Sequence, residues 1–120
     1  MNDYATSAAR ERRAFDLLGS YQVKTAGGIM IADQRRILDG WIYASHLSLL
    51  FLADEPLRAL SARFPGLVDA QTVLLPIAER PASRLTAPML TPNGIIAFAD
   101  GVELIGAKKR MKAMHALLGR

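Results

Sequence analysis

The sequence predicts an α+β fold, with a small mixed sheet, strand–Asp-Gly–helix units and a helical middle segment. An alanine-rich run close to the N-terminus has the composition of a helix. The run from Trp41 to Leu52 is too densely apolar for an amphipathic surface helix, and we interpret it as a largely buried one. Two β-prone runs lead into Asp39-Gly40 and Asp100-Gly101, a dipeptide typical of the place where a strand gives way to a helix.

The first helix is predicted over residues 6–18. Thr6 or Ser7 can cap its first turn, and the glycine that follows residue 18 suits its C-terminal end. Two short β-prone runs then surround a Gly-Gly pair within residues 21–31. Because Gly-Gly is typical of a tight turn between strands, this segment predicts a β-hairpin.

The middle of the chain is predicted to continue as helix after residue 52. Asp54 is a suitable N-cap for a second helical segment, which Pro65-Gly66 would end. A β-prone run from Gln71 to Ile77 follows, and Pro76 confines this strand to an edge of the sheet or to its own end.

The last third of the chain predicts a loop, a strand and a helix. Residues 78–91 contain two prolines and are predicted to be loop, and Pro92-Asn93-Gly94 predicts a turn before a strand that reaches Phe98. After Asp100-Gly101 the apolar residues recur in steps of three and four, which predicts a helix up to Gly119. Its predicted apolar face consists of Leu104, Ala107, Met111, Met114 and Leu118.

Composition limits the classes of protein that this chain can belong to. Its 120 residues, 51% of them hydrophobic and 22% charged, predict one folded domain over residues 1–120 and exclude a disordered chain. The absence of cysteine excludes disulfide scaffolds, cysteine nucleophiles and thiolate metal sites. No apolar run is long enough for a membrane span, and no secretory signal is present, so we expect a cytoplasmic protein.

The formal net charge of +4 is concentrated in one dense cluster, Lys108, Lys109, Arg110 and Lys112. Cations grouped on a helix can contact the phosphates of a nucleic acid, so these four residues are the candidate nucleic-acid-binding site. A solvated helix face is the alternative interpretation.

Asp100 and Gly101 form the candidate phosphate-binding site. If a helix begins directly after them, its free N–H groups point towards a bound anion. Basic side chains one or two turns later would hold the remaining oxygens of that anion. Many helices begin in this way without binding a ligand, and the sequence leaves that alternative open.

The sequence gives little evidence for a catalytic, base-stacking, metal-binding or nucleotide-binding site. His46 lies between two serines, but adjacent residues point to different sides of a helix, so we expect a hydrogen-bonded core histidine. Trp41 and Tyr43 could stack on a base, although aromatic residues in such an apolar run are typical of a core. We predict no catalytic residue, no metal site and no cofactor, since neither clustered ligands nor a nucleotide-binding loop is found.

Several stretches after residue 71 together resemble a known arrangement: Thr72 to Ile77, the loop to Ala87-Pro88, Gly94 to Gly101, and the closing helix. This part of the chain resembles the ParB/sulfiredoxin-like superfamily, and within it the small plasmid fertility-inhibition proteins. In that superfamily a strand ending in Asp/Asn-Gly precedes Arg-His-Arg, which opens a helix and binds phosphate. Members include DNA-binding partition proteins, nucleases and nucleotide-using enzymes.

The sequence departs from the superfamily pattern at the motif itself. Val102-Glu103-Leu104 stands where Arg-His-Arg is usual, and Trp41-Ile42-Tyr43 stands there in the first Asp-Gly unit. The catalytic residues of the family therefore do not carry over to this chain. The resemblance implies a non-catalytic accessory or inhibitor protein of plasmid or phage type that binds a macromolecular partner.

Two alternatives to this function stay open. The first is a DNA-binding or DNA-cleaving protein that uses the basic helix on phosphates. The second is a homo-oligomer in which the apolar segment from Trp41 to Leu52 packs against its copy. We expect a protein partner first, with nucleic acid as the alternative, and the sequence favours binding over catalysis without excluding an enzyme.

Overall fold

An eight-stranded antiparallel sheet and two helices make up the computed structural model, which describes residues 4–31, 37–57, 67–76, 83–87, 89–98 and 101–118. The elements in chain order are α1 Ser7–Leu18, β1 Val23–Ile31, β2 Ile37–Ala44, β3 Ser48–Ala53, β4 Leu67–Asp69, β5 Thr72–Pro76, β6 Ser83–Thr86, β7 Asn93–Phe98, β8 Val102–Ala107 and α2 Lys108–Leu118. The strand order across the sheet is β4-β5-β3-β2-β1-β8-β7-β6. No helix in these described ranges is long and apolar enough to cross a membrane.

The predicted first helix is confirmed as α1. The Thr6 hydroxyl accepts a hydrogen bond from the Ala9 N–H at 3.1 Å, which satisfies one of the free donors of the first turn. Gly19 ends the helix with a φ of 74°, and its N–H donates to the Phe15 carbonyl at 2.9 Å. Both helix signals in the sequence thus act as predicted.

The predicted hairpin within residues 21–31 is wrong, because β1 continues straight through the Gly-Gly pair. Gly27 pairs with Gly40 on one side and with Gly106 on the other. A Cβ atom on Gly27 would lie 2.2 Å from the Ile105 carbonyl oxygen, so the glycine allows a close approach of two backbones rather than a turn.

The predicted helical middle segment is wrong as well. The residues from Trp41 to Leu52 belong to β2 and β3, which pair as an antiparallel hairpin. The Ser45 hydroxyl accepts hydrogen bonds from the N–H groups of Leu47 and Ser48 and so closes the turn. Apart from His46 and Leu47 in the turn, most of the segment is buried as expected, but a strand covered on both faces has the same unbroken apolar sequence as a buried helix.

The predictions for residues 54–91 are partly confirmed and partly wrong. Residues 54–57 are not helical, and residues 58–66, where the second helical segment was predicted, lie outside the described residues. The predicted strand from Gln71 is confirmed as β5, with Pro76 at its end. The predicted loop 78–91 contains β6.

Neither Asp-Gly unit leads from a strand into a helix. Gly40 lies inside β2, and a Cβ atom there would be 2.2 Å from the Leu52 carbonyl oxygen. Gly101, with a φ of 91°, belongs to the turn between β7 and β8, and α2 begins only at Lys108. The fold is therefore an antiparallel sheet with a helix near each end of the chain, not a mixed sheet with strand–helix units.

The two faces of the sheet are covered differently. One face carries the main core, whose cluster extends from β5 to β7 and includes Met111, Met114 and Leu117 of α2. On the other face, α1 covers a smaller cluster on β2, β3 and β5 that includes Tyr43, Leu50 and Leu52. The predicted inward face of the last helix is confirmed for Met111 and Met114 only, because Leu104 and Ala107 belong to β8 and Leu117 is more deeply buried than Leu118.

Candidate functional site

The structure places the predicted nucleic-acid-binding residues in the first turns of α2. Lys109, Arg110 and Lys112 are exposed and Lys108 is half-buried, while Met111 between them is buried in the core. Three of the four cations are therefore exposed to solvent around the start of one helix. Whether they bind nucleic acid stays a prediction.

The predicted phosphate-binding site at Asp100 and Gly101 depended on a helix that begins directly after Gly101, and the structure has a strand there. Gly101 precedes a strand, and its N–H donates to the Phe98 carbonyl at 3.0 Å. Asp100 lies outside the described residues. Phosphate binding at this turn stays a prediction, but no helix N-terminus supports it.

His46 is an exposed residue of the β2–β3 turn, so the expected core histidine is wrong. The Ser45 hydroxyl is occupied by the backbone of the same turn. Among the residues described, His, Asp and Glu side chains form no group of three or more that could hold a metal ion.

An incompletely covered half of the sheet is a candidate site that the sequence did not indicate. We call it the open face: the side chains of β1, β2, β6, β7 and β8 that point to the same side as α1. The strand pairings arrange them in two rows, Ile37–Met30–Glu103–Ala97–Arg84 and Asp39–Gly28–Ile105–Ile95–Thr86. α1 makes its main strand contacts with β3, and its side chains reach β1 and β2 at Lys24 and Trp41, which belong to neither row.

The centre of the open face is apolar and partly exposed. Ile37 is 49% exposed, and Met30, Ile95 and Ile105 are half-buried. Charged residues border these apolar side chains: half-buried Glu103 lies between Met30 and Ala97 in the first row, and exposed Asp39 ends the second row. A contiguous apolar area with a polar rim is typical of a surface that binds a partner.

A shallow depression of about 500 Å³ crosses the open face. Gly28, which lies between Asp39 and Ile105 in the second row, is one of its lining residues, and the Ile37 side chain leans over it, with Cγ2 2.5 Å from where a Cβ atom on Gly28 would lie. Trp41 lines one side, and the Arg10 guanidinium of α1 lies over the indole ring at 4.4 Å from its centroid. The depression therefore ends where α1 begins to cover the sheet.

Trp41 is half-buried in this arrangement, so it is neither a free stacking platform nor a fully buried core residue. Sequence reasoning missed the depression because its lining comes from strands that are distant in the chain. The signal that could have indicated it is the alternation Ile37, Asp39, Trp41, which has the period of a strand rather than of a helix.

Next to this site, the Glu11 carboxylate of α1 forms hydrogen bonds that attach the helix to the sheet. Tyr21 donates a hydrogen bond to Glu11 at 2.7 Å, and the Lys24 ammonium on β1 also donates to this carboxylate. The Lys24 and Tyr21 hydrogen bonds hold the pKa of Glu11 below its usual value. The hydrogen bond to Glu11 raises the pKa of Tyr21, since the phenol must keep its proton to donate.

Comparisons with known proteins inform the fold and not the function. No family model matches the sequence, and no curated protein matches it. Among solved structures, the chain is similar to the C-terminal domain of an unknown protein from Leishmania infantum, with a TM-score of 0.55 and 11% sequence identity. The match covers 95% of this chain and 96% of that chain. None of these results connects the chain with the ParB/sulfiredoxin-like superfamily, and that resemblance stays a prediction.

Proposed function

We propose that this chain is a non-catalytic binding domain that docks a protein partner on the open face. The observation that carries the proposal is the apolar centre of that face, where Ile37 is 49% exposed beside half-buried Met30 and Ile105. Burying these side chains against a partner would release their hydration water, which is the main driving force of protein association.

The depression gives the open face a shape to which a partner can fit. An apolar side chain of the partner would enter the depression beside Ile37 and Ile105, and polar groups of the partner would meet the Asp39 carboxylate. Central apolar anchors surrounded by polar contacts are the usual arrangement in specific interfaces.

The biological role of this binding domain is a separate part of the proposal. A plasmid- or phage-type inhibitor, as the sequence resemblance implies, would use the open face to cover its target. The cytoplasmic location likewise stays a prediction from the sequence. DNA binding or cleavage through the basic helix stays the alternative function, supported by the exposed Lys109, Arg110 and Lys112.

The proposal is tested by selecting peptides from a display library against the protein and mapping their binding by NMR. We expect chemical-shift changes centred on the amides of β1, β2, β7 and β8. An Ile37→Lys substitution should weaken peptide binding at least about tenfold, because it places a charge in the apolar centre. Val68→Lys is the matched control, since Val68 is 47% exposed on β4 at the other end of the sheet.

Peptides whose shift changes map elsewhere, or that bind Ile37→Lys as well as the original protein, would contradict the proposal. Light scattering measures the oligomeric state of the same variants. A dimer that Ile37→Lys separates and Val68→Lys does not would assign the open face to a second copy of the chain, in place of a different protein.

A further inference from the structure

Two turns and the start of α2 lie at the same end of the sheet. Because β1 runs antiparallel to both β2 and β8, the C-terminal ends of β2 and β8 and the first residue of β7 share that end. The Lys108 N–H donates to the Pro92 carbonyl at 2.9 Å, which fixes the segment before β7 to the first residue of α2. We call this region the tip end: the turn Ser45–Ser48, residues 89–92 and the first turns of α2.

The tip end carries three of the most exposed large apolar side chains among the described residues. Leu90 is 99% exposed, Met89 is 94% exposed and Leu47 is 79% exposed. Leu90 stands two residues before Pro92, so their Cα atoms are no more than about 7 Å apart. Met89 and Leu90 therefore project into solvent close to the start of α2.

The same end carries the densest positive charge in the chain. Lys109, Arg110 and Lys112 are exposed, and the first turn of α2 contains no acidic residue. The N-terminus of a helix is itself the positive end of the helix dipole, so cations placed there repel it. An anionic surface that contacts this end would relieve that repulsion.

We infer that the tip end docks on the surface of an anionic phospholipid bilayer. Met89 and Leu90 enter the boundary between headgroups and acyl chains, and the cations of α2 contact the headgroup phosphates and carboxylates. Exposed apolar side chains beside a basic cluster are the combination that holds a protein at such a surface.

The shape of the tip end favours a bilayer over the other anionic partners. Met89 and Leu90 protrude from a turn rather than form a flat apolar area that could match a folded protein. Nucleic acid would account for the cations, but its phosphate backbone offers no apolar region for these two side chains. The inference does not depend on the open face, since Ile37, Met30 and Ile105 are not part of the tip end.

Co-sedimentation with vesicles tests the inference. One set of vesicles contains phosphatidylcholine alone, and the other contains phosphatidylcholine and phosphatidylserine in about equal amounts. We expect binding to the second set only, weakening as salt rises because the attraction is partly electrostatic. Replacing Lys109, Arg110 and Lys112 with alanine should weaken binding roughly fivefold per cation, and so roughly a hundredfold.

A second variant separates insertion from charge. Met89→Ser with Leu90→Ser keeps every cation and should weaken vesicle binding about tenfold or more, since it removes the inserted apolar surface. Val68→Ser is the control for the apolar change, and Arg12→Ala, compared with Lys109→Ala alone, is the control for the loss of charge, because Val68 and Arg12 are exposed on β4 and α1 and not at the tip end. All the substituted residues are at least partly exposed, so the variants should keep the fold, and circular dichroism checks this.

Three results would overturn the inference. Vesicle binding that survives Met89→Ser with Leu90→Ser would show that no insertion occurs. Absence of binding to the mixed vesicles at low salt would exclude the bilayer. Salt-dependent binding to DNA without binding to vesicles would assign the basic residues to nucleic acid, and none of these results would affect the proposal for the open face.

Discussion

Tyr43 is a buried residue whose aromatic ring is well packed but whose polar hydroxyl is not hydrogen-bonded to any described residue. The residue is fully buried under α1, and its ring forms a T-shaped contact with that of Tyr21 at a centroid distance of 5.0 Å. Its hydroxyl has no hydrogen-bond partner among the residues that the structure describes. Burial raises the pKa of Tyr43, since the low-polarity surroundings disfavour the phenolate. The aromatic ring, and not the hydroxyl, is therefore the stabilising part of this residue.

We predict that Tyr43→Phe leaves the free energy of unfolding unchanged or raises it by up to about 1 kcal/mol, because it removes a desolvated hydroxyl that forms no compensating bond. Tyr4→Phe is the comparison: the Tyr4 hydroxyl bonds the Thr72 hydroxyl at 2.8 Å in a buried position. Its loss should lower stability by about 1 kcal/mol. Urea unfolding measures both changes, and a greater loss for Tyr43→Phe than for Tyr4→Phe would contradict the prediction.

At the scale of elements, α1 is held on the sheet by apolar packing and by two ion pairs. Ala14 is buried against the sheet, with half-buried Leu17 and Leu18 beside it. Glu11 adds hydrogen bonds to Lys24 on β1 and to Tyr21 in the connection before β1. A second ion pair joins Arg13 to Asp69 of β4 at 2.8 Å. The helix thus contacts strands from both sides of the β2–β3 hairpin.

Glu11 makes the attachment of α1 dependent on pH. The pKa of Glu11 is lower in the folded protein than its ordinary value of 4.5. A carboxyl with a lowered folded-state pKa stabilises the fold above its unfolded pKa, and this contribution is lost as the pH falls through the folded pKa. We therefore expect Glu11→Gln to reduce stability at neutral pH and to have progressively less effect below about pH 4.

The check is a series of urea unfolding curves for the original protein and Glu11→Gln from neutral to acid pH. Asp16→Asn is a suitable control, because Asp16 is an exposed acidic residue of the same helix. A stability difference for Glu11→Gln that stays constant across the whole pH range would show that the ionised carboxylate contributes nothing.

At the scale of the whole molecule, β1 joins two halves of one sheet. It pairs with β2 from Val23 to Met30 and with β8 from Gly27 to Ile31. The main core extends across this join, with Val73 and Leu75 of β5 and Ile96 and Phe98 of β7 in one cluster. Unpairing β1 would therefore separate the halves and expose the core.

We predict that amide hydrogen exchange is slowest in β1, β2 and β3, whose amides are released only when the whole domain unfolds. It should be fastest among the strands in β4 and β6, which are short and lie at the two edges of the sheet. Exchange measured by NMR or mass spectrometry checks this order. Protection of β6 equal to that of β1 would contradict it and would indicate that this edge is covered in solution.

Elements that depend on residues close together in the chain could be predicted from the sequence, whereas features that depend on contacts between distant residues could not. The first helix was predictable because Thr6 and Gly19 act on neighbouring backbone groups. The strand up to Phe98 was predictable for a similar reason, since the preceding turn residues mark its start. The candidate basic cluster was also visible, because adjacent cations need no tertiary structure to lie together. The open face was not visible, since its residues come from five strands.

The sequence by itself determined the burial of the segment from Trp41 to Leu52, the caps of α1 and the inward methionines of α2, because local pattern and composition encode these features. Only the tertiary structure decided that the buried segment is a pair of strands and that Gly27 and Gly40 lie inside strands. Hydrogen bonding to a distant strand, and layers covering both faces, make an apolar run into a strand instead of a helix. Pairing across the sheet also decided which side chains share the open face and which turns share the tip end, since these positions depend on register and not on spacing along the chain.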